Sequence, residues 1–250
     1  MRFMRVMLWL GLLAVSSGAA AALVTDVSDS NVSVSYSYQG KKLLLFGSLP
    51  EQYGHVLIEV RGPERDRTVQ RKGKVAGLWM NVESMRFKEV PGFYALLTDA
   101  PLDDFLTPER RQELGVGPKA LFQDAKWHVD SQQVAPQQYF QGLLKYMQDL
   151  GLYQEMPGDV RIKRKRLFRA QVDLPARVPV GDYEIVTRVI KDGEVTQRDV
   201  QQLSVAKTGI EKWLYDLAYD HPATYGAMAV AVALLAGWVV GMMTRGEAEH

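Results

Sequence analysis

His128 and Asp130 stand two apart in the segment KWHVD. In an extended strand that spacing puts an imidazole and a carboxylate on one face, enough for weak metal ligation or acid–base work. A histidine satisfied within the fold explains the pair better and is the reading adopted. The other histidines, His55, His221 and His250, make no helix-face metal spacing with it. The chain carries no GxSxG, no phosphate-binding glycine loop and no HExxH. Cysteine is absent, which excludes thiol redox chemistry, cysteine nucleophiles and cysteine-ligated zinc. The expectation is a protein that is not an enzyme and needs no cofactor or metal.

The densest charge lies at Arg161, Lys163, Arg164, Lys165, Arg166 and Arg169. Such a patch suits an anionic partner, whether lipid headgroups or an acidic protein face. A solvated loop and strand edge, where Lys and Arg discourage edge pairing, would look the same and is favoured. Residues 23–243 are balanced in charge, because Arg2, Arg5, Arg245, Glu247 and Glu249 lie outside them. A neutral domain exerts no general pull on nucleic acid, so none is expected as a partner.

A third pattern concerns packing. Residues 222 to 243 read PATYGAMAVAVALLAGWVVGMM, without one charged side chain. As a helix this stretch spans about 33 Å, against about 30 Å of bilayer hydrocarbon. Within it Ala229, Ala233, Gly237 and Gly241 recur every fourth residue and build a small-residue face that ends in GxxxG. Such a face lets a second helix approach closely, which fits a membrane-protein partner or self-association.

These features need elements to hold them. Residues 1–22 have the make-up of a secretory signal peptide. Arg2 and Arg5 precede the apolar stretch from Val6 to Val15, and small residues follow to Ala22. The region 23–207 is read as an extracytoplasmic domain, 208–221 as a juxtamembrane helix, 222–243 as the transmembrane helix and 244–250 as a cytoplasmic tail. Trp213, Tyr215 and Tyr219 suit the membrane interface, and Pro222 is expected to bend the junction. This topology implies a single pass, with the main domain outside the cytoplasm and the C-terminus inside it.

Within 23–207, alternation predicts a strand over 31–40, with Val32, Val34, Tyr36 and Tyr38 facing one way. Further strands are predicted at 41–49, 55–63, 68–72, 77–87 and 92–99. Thr107-Pro108 signals a helix start, a second helix covers Lys119 to Lys126, and Pro136 to Leu150 carries an apolar stripe that Gly151 stops. Strands return at 166–175 and in a hairpin over 177–205 with Asp192-Gly193 at its tip. The fold class expected is mainly β with an α insertion. It is an immunoglobulin-like β-sandwich with a helical block at about 101–160 and one C-terminal transmembrane helix. Two small domains are the alternative. The turn VPVGDYEI is similar, loosely, to a tyrosine corner, although the cysteine and tryptophan hallmarks are missing.

The opening NVSVSYSYQGKKLLLFGSL, the strand GFYALL, the turn VPVGDYEI and the terminal span together resemble a family of alphaproteobacterial transmembrane proteins. That family has a signal peptide, an exported β-rich domain and one C-terminal helix, and no defined active site. The resemblance implies an accessory or interaction role, because family members stand beside permeases of the sulfite-exporter type. A module binding a small anion outside the cytoplasm is the competing reading.

Overall fold

The computed structural model describes residues 22–123, 127–129 and 136–245. The predicted signal peptide and most of the tail lie outside them. The strands follow the alternation of the sequence. β1 (Val24–Val27), β3 (Gly40–Ser48), β10 (Arg161–Lys163) and β11 (Leu167–Pro175) form a four-stranded sheet in the order β1-β3-β11-β10. In β11 the residues Phe168, Ala170, Val172 and Leu174 point inward, while Leu167, Arg169, Gln171 and Asp173 point out. This is the period-two pattern of a half-buried strand.

The larger sheet has six strands in the order β2-β13-β12-β4-β7-β9. They are β2 (Asn31–Val34), β13 (Glu194–Lys207), β12 (Gly181–Lys191), β4 (His55–Arg61), β7 (Tyr94–Thr98) and β9 (Tyr153–Pro157). Its two edge pairings, β13 with β2 and β7 with β9, are parallel. Strands β4 and β7 are buried along nearly their whole length, on both faces. The inner residues of both sheets belong to one hydrophobic cluster, among them Leu43, Val172, Val60 and Val189. A side-chain tie joins the sheets at one edge, where the Thr25 amide and hydroxyl donate to Asp199 Oδ2 at 2.9 and 2.6 Å.

Two long strands, β5 (Glu64–Val75) and β6 (Leu78–Pro91), pair with each other and with the short β8 (Trp127–Val129). The pairing of β4 with β7 runs straight into theirs. Arg61 faces Tyr94, the Gly62 amide donates to Phe93 O at 2.8 Å, the Gly92 amide donates to Pro63 O at 2.8 Å, and Glu64 faces Pro91. One antiparallel ladder therefore leaves the larger sheet as an arm.

Helices fill the middle of the chain. α1 (Pro108–Glu113) is capped by the Thr107 side chain, which accepts from the Arg110 amide at 3.3 Å. α2 (Pro118–Gln123) follows a short connection. α3 (Pro136–Asp149) buries Tyr139, Leu143 and Met147, and the predicted stripe residues Phe140, Leu144 and Leu150 are packed less completely. The region 101–160 is not purely helical, because β8 and β9 lie inside it and complete sheets begun elsewhere. The alternation of 31–40 also does not make one strand. It ends at Val34, and Tyr36 stands 94% exposed in a turn.

After β13 the chain enters α4 (Ile210–Asp220), where Tyr215 and Tyr219 stack with ring centroids 4.4 Å apart. His221 breaks the helical geometry, and α5 (Pro222–Arg245) begins at the proline. The stretch Pro222–Met242 is long and apolar enough to cross a membrane, and none of it is buried in the protein.

Candidate functional site

The outer face of the four-stranded sheet carries half of the basic run the sequence singled out. Register sets Arg161 opposite Arg169, Arg169 opposite Phe46, and Phe46 opposite Asp26. The adjacent row holds Lys163, Leu167, Ser48 and Val24. Each is an outward position, so the alternation that buries Leu45 and Phe168 aligns these side chains in solvent. The result is an apolar floor of Val24, Leu44, Phe46 and Leu167 edged by three cations, lining a groove of about 500 Å³. A second hollow of about 360 Å³ adjoins it and shares Leu44, Arg161 and Arg169. Gly47 allows this shape: a Cβ there would come within 2.3 Å of Val24 O and 2.7 Å of the Phe168 ring. β1 can lie close to β3 only without that atom.

The six-residue basic run therefore divides. Arg161, Lys163 and Arg169 face the groove. Arg164 and Lys165, at φ 50° and 53°, form the turn between β10 and β11. Arg166 turns to Glu51, with Nη2 3.2 Å from Oε1, and both side chains are solvated. β10 is the edge strand of its sheet, so Arg161 and Lys163 also sit where cations oppose edge pairing. Chemically the groove suits a ligand with an anionic head and an apolar body. The one acid in its rows is Asp26, whose Oδ1 accepts from the Val27 amide at 2.7 Å.

Sequence reasoning missed a buried charge cluster. Glu59, in the middle of β4, is fully buried. Its carboxylate accepts from Arg61 Nη2 at 3.1 Å, from the Tyr94 hydroxyl at 2.6 Å and from Arg188 Nη1. Tyr94 in turn accepts from the Gly117 amide at 2.9 Å, and Arg61 donates to Gly115 O at 3.0 Å. Burial, then the neighbouring Glu59 carboxylate, push the Tyr94 phenol well above its ordinary range. The cluster fastens the loop after α1 to the sheet. Its signal was there to read: one acid inside the apolar run VLIEV calls for a cation when both faces of a strand are covered.

His128 lies in β8 opposite Arg86 by backbone register. Its side chain and Asp130 lie outside the described residues. Among the described residues no group of three or more His, Asp or Glu could hold a metal. His55 is engaged structurally, stacked on Phe105 with centroids 4.5 Å apart and with Nδ1 3.2 Å from Asp99 Oδ2. On α5, a Cβ added to Gly237 or Gly241 would meet nothing within 4 Å. The face they share with Ala229 and Ala233 is thus open to a neighbour.

With the fold and these sites in place, the chain belongs to the family described as "Putative transmembrane protein (Alph_Pro_TM)", which matches residues 22–246. No curated protein matches the chain, and no solved structure does.

Proposed function

We propose that the protein is a membrane-anchored accessory protein that acts beside another membrane protein. Its β-rich domain stands in the periplasm and its C-terminus in the cytoplasm of a bacterial inner membrane. The observation that carries this reading is the charge-free helix Pro222–Met242, with its aligned small residues, joined through a short helix to a folded domain. The family match begins at residue 22, the last residue of the expected signal peptide, which supports export of the matched part. The immunoglobulin-like reading of the domain belongs to the same proposal. It is supported by the Tyr183 hydroxyl, which donates back to Pro179 O at 2.6 Å as in a tyrosine corner.

The family resemblance makes a permease of the sulfite-exporter type the partner to test first. Co-purification of the full chain in mild detergent should recover a polytopic permease. Recovery of the chain alone would count against the partnership. Alkaline phosphatase joined at Lys207 should be active and joined at His250 inactive, and the reverse pattern would overturn the orientation.

The groove of Arg161, Lys163 and Arg169 favours a second reading, an anion-binding module. Sulfite, sulfate or thiosulfate should then raise the melting temperature, and Arg161→Ala with Arg169→Ala should abolish the shift. Equal shifts in both proteins would remove the groove from consideration.

A further inference from the structure

The arm formed by β5 and β6 ends in a tip of unusual composition. Val75, Leu78, Trp79 and Met80 are 48%, 70%, 69% and 50% exposed. They close the hairpin around Ala76 and Gly77, with Lys72 and Lys74 beside them. Lys74 Nζ lies 5.5 Å over the Trp79 ring. Register pairs Val75 with Leu78, Lys74 with Trp79 and Gly73 with Met80. Successive pairs point to opposite faces of a hairpin, so Trp79 stands on one face and Val75, Leu78 and Met80 on the other. Both faces of the tip therefore carry exposed apolar side chains, and Lys74 shares the Trp79 face. A flat protein surface could cover only one of them, whereas a bilayer interface surrounds an inserted tip. Tryptophan, aliphatic side chains and flanking lysines are also the composition that partitions into headgroups.

The arm is rooted where it can reach a bilayer. Its ladder leaves the larger sheet at Arg61 and Tyr94. Arg61 faces Glu184 on β12, and Gly181, three residues before Glu184, faces Val205 on β13. The arm and the chain that leads to the anchor therefore depart from the same end of that sheet. The proximal part is braced: the Tyr139 hydroxyl of α3 donates to Glu83 Oε2 at 2.6 Å, and Arg71 Nε donates to the same oxygen at 3.0 Å. Beyond this brace, four residues on β5 carry the tip about 13 Å further. From Glu64 to Val75 the arm reaches up to about 40 Å, while α4 as an upright spacer measures about 16 Å. The tether is shorter than the arm.

We infer that the tip of this arm inserts into the interface of the bilayer that α5 crosses, a second contact that fixes the tilt of the domain over the membrane. Lys72 and Lys74 would face anionic headgroups, with Leu78 and Trp79 among the upper acyl chains. The inference rests on the anchoring reading, and its test separates the two.

The chain has no cysteine, so single labels are straightforward. Leu78→Cys, Val75→Cys and Gln52→Cys, each in the full chain, carry an environment-sensitive fluorophore in phosphatidylethanolamine–phosphatidylglycerol proteoliposomes. Gln52 is exposed and lies in the turn before β4, at the other end of the sheet. Doxyl-labelled lipid should quench the labels at 78 and 75, whose emission shifts to the blue, and leave the label at 52 as in water. Lys72→Gln with Lys74→Gln should lower the bound-to-free ratio of the tip by about thirtyfold. A chain that floats with the vesicles while labels 78 and 75 report water overturns this inference and leaves the anchor standing. If those labels become buried only when membrane extract is added, the tip belongs to a protein partner and the inference also fails. A chain that does not float overturns both.

Discussion

Glu59 shows what a single residue decides in this fold. It sits where simple alternation would give it solvent, yet β4 is buried along nearly its whole length on both faces. Three donors hold it there. Removing one partner of a buried pair leaves the other charged without compensation, at about 3–5 kcal/mol. Arg188→Ala and Glu59→Ala should each cost about that much in chemical denaturation. The double variant should cost less than the sum of the two, because neither orphan remains. Additive losses would show that the charges act independently. Asp199 gives a pH dependence. Burial alone would raise its carboxyl, but hydrogen bonds from Thr25, the Val200 amide and Gln201 outweigh this and hold it below the ordinary carboxylate range. A folded-state pKa below the unfolded value, about 3.9, gives stability that is present above that value and lost as pH falls through the folded one. Asp199→Asn should therefore be less stable than wild type at neutral pH. That difference should close on acidification below about pH 4, as followed by denaturation midpoints across the acid range. A constant difference would remove Asp199 from the acid response.

At the scale of elements, legibility followed how local the determining forces were. The Thr107 cap, the stop at Gly151 and the Asp192-Gly193 turn are set within a few residues, and each stands where the sequence put it. Asp192 and Gly193 have φ of 53° and 80°, the left-handed pair that a two-residue hairpin requires. A Cβ on Gly193 would touch nothing within 4 Å, so only the backbone penalises a side chain there. Gly193→Val should cost about 1–2 kcal/mol in thermal unfolding, and Gly193→Asn much less, because Asn tolerates this region. Equal losses would point to a contact instead. The arm and β9 were harder to read. Residues 68–72 and 77–87 have strand character, but nothing local says that their ladder continues from β4 and β7 through Gly62 and Gly92. β9 owes its place to a parallel neighbour distant in sequence, Tyr94–Thr98, and its own five residues carry little hydrophobic pattern. The alternation misled at Tyr36, because β2 ends with Val34 paired to Lys207 and the chain turns before Tyr38 packs against the core. The groove was half legible. Its cations stood out as a run, whereas the apolar floor comes from three strands far apart in sequence.

For the whole molecule, composition alone located the anchor, because a bilayer demands a long uncharged helix whatever the neighbouring fold. The unity of the rest depends on long-range pairing. One ladder ties the arm to the larger sheet, and Thr25 ties the two sheets. A fragment covering 23–207 should therefore unfold in one cooperative transition, and two transitions would favour separate domains. The final prediction concerns what the anchor does besides holding the chain. Lipid tails are as apolar as leucine, so no hydrophobic drive brings membrane helices together, and close backbone packing must supply it. Ala229, Ala233, Gly237 and Gly241 offer such a surface, with open space where Cβ atoms would stand on the two glycines. Gly237→Ile with Gly241→Ile keeps the segment apolar and long enough to insert, so anchoring should persist while crosslinking to a partner or a second copy falls. Ile at Val232 and Val239, off that face, should leave crosslinking as in wild type. Both pairs add apolar volume to one helix and keep it uncharged, the first on the small-residue face and the second off it. Equal crosslinking of the two variants would mean that the small residues are composition and that association, if any, lies in the domain outside the membrane.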